Sequence, residues 1–103
     1  MALDSTSGEQ ITLTEAATLT RAFRAEFPNE IKASFIGADN IMLILDQEDC
    51  IGIRIYNGYD ETERTMSLVM VGVDSSGVDM TSGVILDRMI KCPTVCDLTS
   101  ALM

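Results

Sequence analysis

A chain of 103 residues has room for one domain, and with 47% apolar residues it is too hydrophobic to be generally disordered. Sixteen acids against seven bases give a net charge of −9, with no histidine, which argues against nucleic acid or an anionic membrane surface as partner and leaves a basic protein or a hard cation. Three cysteines do not make a disulfide framework, and the start lacks the basic segment and apolar core of a secretory signal. The default compartment is therefore the cytoplasm, with a signal-independent export route left open.

Residues 1–10 read as an N-terminal arm. Thr12 and Glu15 have the spacing of a capping box, in which each side chain satisfies a free amide of the first turn. Ala16, Leu19, Phe23 and Phe27 then recur at three- and four-residue steps as one apolar stripe, and Pro28 stops the helix near Glu26. Ile31 to Ile36 reads as a short strand or an extended link. The turn formers GADN follow, and Asp39 or Asn40 can cap a second helix from about Ile41 to Gln47. Its core, IMLIL, is apolar on all sides, so a buried strand competes with the helix. It is too short to span a bilayer. Asp46, Glu48 and Asp49 oppose a late helix end, because negative charge there meets the negative end of the dipole.

Cys50 to Val73 reads as an antiparallel hairpin. Ile51, Ile53 and Ile55 alternate with Gly52, Arg54 and Tyr56, and the isoleucine row is expected in the core. In the second run Met66, Leu68 and Met70 share one face, and Val69, Val71 and Val73 the other. NGYDETER between them, rich in turn formers and charge, reads as a long loop. Asp74 and Gly77 fit a tight turn, and a third strand is expected near residues 83–87. Pro93 suits the start of a final helical turn, and residues 88–103 are expected to dock on the body through Leu98, Leu102 and Met103. The expected fold is a single α+β domain over residues 1–103, with the N-terminal helix packed on the isoleucine face of a small antiparallel sheet.

In GIRIYNGYDE, LVMVGVDSSGVDM and CPTVC the chain resembles a group of short, uncharacterised bacterial proteins with a similar strand, VGVD turn and cysteine-proline ending. The resemblance implies no activity.

Four groups are candidate sites. Asp46, Glu48, Asp49, Asp74 and Asp79 form an acidic rim that can meet a basic partner or hold Ca²⁺, although charged turns are more often plain solvated surface. Cys92 and Cys96 form a thiol pair: a dipole-activated thiolate, a zinc pair with Cys50, a local disulfide, or simply two half-buried free thiols, the reading that ordinary cysteine burial favours. Tyr56 and Tyr59 beside Arg54 suit an interface, or else cover the sheet edge. The seven methionines suit an adaptable contact surface or ordinary core filling. The second strand tips the balance, because Met66, Leu68 and Met70 on one face and Val69 and Val71 on the other both need cover.

No histidine, nucleophile elbow, phosphate loop or metal-ligand set supports catalysis, and no cofactor is expected. The expected function is that of an acidic, non-enzymatic interaction module that self-associates into an oligomer or filament. The alternatives are an acidic inhibitor or immunity-type protein for a basic partner, and a small metal-binding protein.

Overall fold

The computed structural model describes residues 2–103. The elements run α1 (Leu13–Glu26), β1 (Ala33–Phe35), α2 (Ala38–Leu45), β2 (Cys50–Asp60), β3 (Thr65–Asp74), β4 (Ile85–Leu86) and β5 (Ile90–Cys92). This is the α+β class, with an N-terminal helix and antiparallel sheets in the orders β1-β5 and β2-β3-β4. By internal contacts the chain divides into two units, Met1–Ser7 with Ile36–Met89, and Gly8–Phe35 with Ile90–Met103.

In the second unit α1 starts and stops where its sequence requires. The Thr12 hydroxyl accepts the Glu15 amide at 3.1 Å, the Glu15 carboxylate answers the Thr12 backbone, and the helix ends at Glu26, two residues before Pro28. Its apolar stripe is thin, and none of its side chains is buried. Phe23 and Phe27 pack ring to ring with centroids 5.2 Å apart, yet Phe23 remains 37% exposed. The Arg24 guanidinium donates to the Leu102 carbonyl at 2.7 Å and so ties the C-terminal tail to the helix. IKASFI resolves into the short strand β1, paired with β5 from Ala33↔Cys92 to Phe35↔Ile90. Pro93 does not open a helical turn: it follows β5 directly, and the chain turns back so that the Val95 amide reaches the Lys91 carbonyl at 3.1 Å.

In the first unit the hairpin is longer than its composition suggests. Pairing runs on through Tyr56↔Val69 and Tyr59↔Met66 to Asp60↔Thr65, so most of the expected loop is strand. Only Glu61 to Arg64 turn. The Asp60 carboxylate accepts the Thr62 and Glu63 amides at 2.9 and 3.0 Å, and Arg64 takes the left-handed conformation (φ 56°) that closes the turn. Asn and Gly are turn formers by preference, but nothing prevents them from lying in a ladder whose ends are already tied.

The register places Ile53, Ile55, Asn57 and Tyr59 on one face with Gly72, Met70, Leu68 and Met66. Arg54 and Tyr56 lie on the other with Val71 and Val69. Core burial is confined to the base of the hairpin: Met70 is 7% exposed, Val71 3% and Val73 4%, whereas Ile55 is 54% exposed. The isoleucine row therefore enters the core only in part. The helix against β2 and β3 in this unit is α2, while α1 belongs to the other unit. IMLIL is helical, and being apolar on all sides it supplies Ile44, the fully buried side chain at 0%. The helix begins at Ala38, behind Gly37 with no side-chain cap, and ends at Leu45, ahead of the acidic stretch that disfavours its continuation.

Gln47, just past α2, joins three segments of this unit. Its amide nitrogen donates to the Ile44 carbonyl at 3.0 Å, and its amide oxygen accepts from the Val84 amide at 2.9 Å. Two glycines make room for it: a Cβ on Gly72 would stand 2.9 Å from the Gln47 amide nitrogen, and one on Gly83 only 2.0 Å from its oxygen. Gly83→Ala must therefore evict the Gln47 side chain and lose both bonds, at a cost of about 1–3 kcal/mol. In a urea-denaturation double-mutant cycle with Gln47→Ala, that cost is expected to fall to near zero in the Gln47→Ala background. Equal costs in both backgrounds would remove Gln47 as the cause.

Candidate interaction surface

Asp79 bridges antiparallel to Val73 on the side of β3 away from β2. Arg54 and Tyr56 project from β2 on the face that carries Val71 and Val73, and both reach Asp79: the Arg54 Nη1 donates to Oδ1 and the Tyr56 hydroxyl to Oδ2. To arrive there the two side chains must cross β3, so their stems lie over the valines. This accounts for the burial of Val71 and Val73 on the face that they share with Arg54 and Tyr56. The hydrogen bond from Tyr56, and then the Arg54 guanidinium, hold the Asp79 carboxyl below the usual carboxylate range. The same bond to Asp79 pushes the Tyr56 phenol up. From sequence, Arg54 and Tyr56 were visible as same-face neighbours, but their acidic partner was one of many.

Beyond this clasp the hairpin continues as a two-stranded ribbon, because β4 pairs only with Met70 and Val71. The ribbon carries an exposed apolar row on the isoleucine face: Ile55 at 54%, Tyr59 at 63% and Met66 at 38% exposure, with Leu68 half-buried among them. Tyr56 is exposed on the opposite face and Val69 is half-buried. Of the residues expected at an interface, Met70 and Val71 are core and have no surface to offer, since both lie at the base where β4 and the clasp cover them.

The acidic rim is partly consumed by turns. Asp74 accepts the Ser76 and Val78 amides at 2.9 and 3.0 Å, and Asp49 accepts the Ser75 hydroxyl at 2.9 Å. Asp79 belongs to the clasp. Asp46 and Glu48 are exposed. Among the described residues, no three His, Cys, Asp or Glu side chains converge as a metal site. Cys92 and Cys96 are joined in a disulfide, with Cα atoms 5.0 Å apart, rather than free. Cys92 is 3% exposed, and the tight turn after β5 brings the two sulfurs together. Cys50 is the free thiol, half-buried. The arm, Leu3 to Ser7, borders Ile51 to Ile55 at the outer strand β2 across a cleft of about 440 Å³. Asp4 organises the arm internally, accepting the Thr6 amide at 2.8 Å, and the Thr6 hydrogen bonds lower its pKa.

No family model, curated protein or solved structure matches this chain. Among the described residues no helix is long and apolar enough to cross a membrane.

The clasp carries a pH signature. Asp79 has a lowered pKa in the folded chain, so its contribution is complete above the ordinary carboxylate range and is lost as pH falls through the folded value. Asp4 and Asp97, lowered by their hydrogen bonds to Thr6 and Thr99, act in the same direction. Thermal stability is expected to drop as pH falls below about 4. Asp79→Asn should melt lower at neutral pH and show a shallower acid drop. An acid profile identical to that of the parent would remove Asp79 as a contributor.

Proposed function

We propose that this chain is a non-enzymatic interaction module that self-associates through the distal half of the β2–β3 hairpin. The observation that carries the reading is the exposed row of Ile55, Tyr59 and Met66 on a ribbon with no third strand beside it. Apolar and aromatic side chains grouped on one face lose free energy to water and regain it against a partner surface. A second copy supplies such a surface without any further component. The acidic inhibitor reading draws instead on the net charge of −9 and on exposed Asp46 and Glu48. The Cys92–Cys96 bond supports an oxidising setting over the cytoplasm that the sequence makes the default.

Sedimentation of the purified protein over a range of concentrations is expected to show reversible association. Added salt should strengthen it, because like-charged copies repel and salt screens that repulsion. Tyr59→Lys, which replaces an exposed aromatic and leaves the clasp untouched, should weaken association by roughly tenfold. A monomer at every concentration, in both low and high salt, would overturn this reading and favour a basic protein partner.

A further inference from the structure

We propose that the second unit binds a small carboxylate with a short hydrocarbon tail, in the cleft between α1 and the C-terminal tail. The cleft, about 160 Å³, is lined by Leu19, Thr20, Phe23, Arg24, Lys32 and Leu102. The four helix residues are one turn apart in pairs and so share a face. Leu102 closes the other side, held there by the hydrogen bond from Arg24 to its carbonyl. All six residues belong to the same unit, and none lies in the β2–β3 hairpin.

Two cations meet in this cleft without a counter-charge. Arg24 and Lys32 are both half-buried. Arg24 donates to the Leu102 carbonyl, and the Lys32 ammonium donates to the carbonyls of Pro28 and Glu30 at 2.7 and 2.9 Å. A carbonyl satisfies a donor but does not neutralise a charge. Arg54 and Arg88 each face an aspartate, whereas neither Arg24 nor Lys32 has a carboxylate at ion-pair distance among the described residues. The chain has sixteen acids, yet none of them lines the cleft. Met103, next along the tail, is engaged elsewhere, its amide with the Ser100 carbonyl and its sulfur with Cys92. Arg24 lies in the last turn of α1, where one positive charge offsets the negative end of the helix dipole. The second charge is left for an anion. The guanidinium keeps further N–H donors after its bond to Leu102, and the ammonium keeps a third.

The other walls decide what the anion carries. Leu19, Phe23 and Leu102 are apolar and partly open to water, so a hydrocarbon tail gains by covering them. Bare phosphate would use the cations and leave these walls wet. The volume is that of about five waters at ~30 Å³ each, too small for a nucleotide or a long-chain lipid. So few atoms bind weakly, at roughly millimolar concentration.

Sodium hexanoate, titrated into the full chain at neutral pH, is expected to shift the backbone amide NMR resonances of residues 19–24 and Leu102 saturably. Hexanol has the same tail without the charge, and acetate the charge with almost no tail. Each should bind about tenfold more weakly than hexanoate, or worse. Lys32→Gln should weaken hexanoate about tenfold. Arg21→Gln, which removes an exposed charge from the same helix outside the cleft, should leave it unchanged. The comparison among ligands uses the parent chain, so it decides the matter even if Lys32→Gln does not fold. No saturable shift at these amides, equal binding of hexanol, or an equal loss in Arg21→Gln overturns the site. Inorganic phosphate binding as tightly as hexanoate overturns the carboxylate with a tail as its ligand.

Discussion

Arg54 and Tyr56 of β2 converge on one carboxylate, Asp79, across the width of β3. Much of the first unit depends on that convergence. It roofs Val71 and Val73 with the stems of polar side chains, so a face with a cation and a phenol on it still behaves as core. It anchors the segment after the Asp74 turn beside β3, where the Met80 amide reaches the Gly72 carbonyl at 2.8 Å. β3 thereby becomes an interior strand at its base. On the opposite face Gln47 plays the corresponding part, tying the end of α2 to Val84. Gly72 and Gly83 are required less for backbone freedom than for the space that this amide occupies.

The clasp also sets the limit of the core. β4 pairs with two residues of β3, while β3 is paired with β2 along the whole ribbon out to Asp60↔Thr65. A two-stranded ribbon in water is marginal by itself, and this one is held by continuity with the three-stranded base. It keeps an apolar row and an open edge, the combination that natural sheets usually blunt with charge. Charge is present, but mostly at the tip, in Asp60, Glu61, Glu63 and Arg64. The middle of the edge carries none between Arg54 and Asp60.

The second unit solves a different problem. Its helix buries no side chain, and its one buried residue among those described is Cys92, half of a disulfide. A unit with so little core gains from a covalent tie. The bond closes the turn after β5, and the tail beyond it ends at the Arg24 side chain on α1.

The local signals in the sequence were sufficient for the local structure. The Thr12–Glu15 box and Pro28 determined both ends of α1, and the alternation of Ile53 and Ile55 with Gly52, Arg54 and Tyr56 put the two rows of β2 on opposite faces. These features act within a few residues, so they can be read without knowing the fold. The helical state of IMLIL, the length of the hairpin and the partner of each charge were decided by tertiary structure. IMLIL suits any buried element. NGYDETER has turn composition, but Asp60 and Arg64 close a turn so short that Asn57 and Gly58 fall into the ladder. Arg54 and Tyr56 were visible as an exposed pair, yet with 16 acids in the chain only the bridge between Val73 and Asp79 brings one particular carboxylate within their reach. The cysteine pair followed the same rule: a spacing of four permits a bond or two free thiols, and the turn after β5 decides between them by bringing the Cα atoms to 5.0 Å.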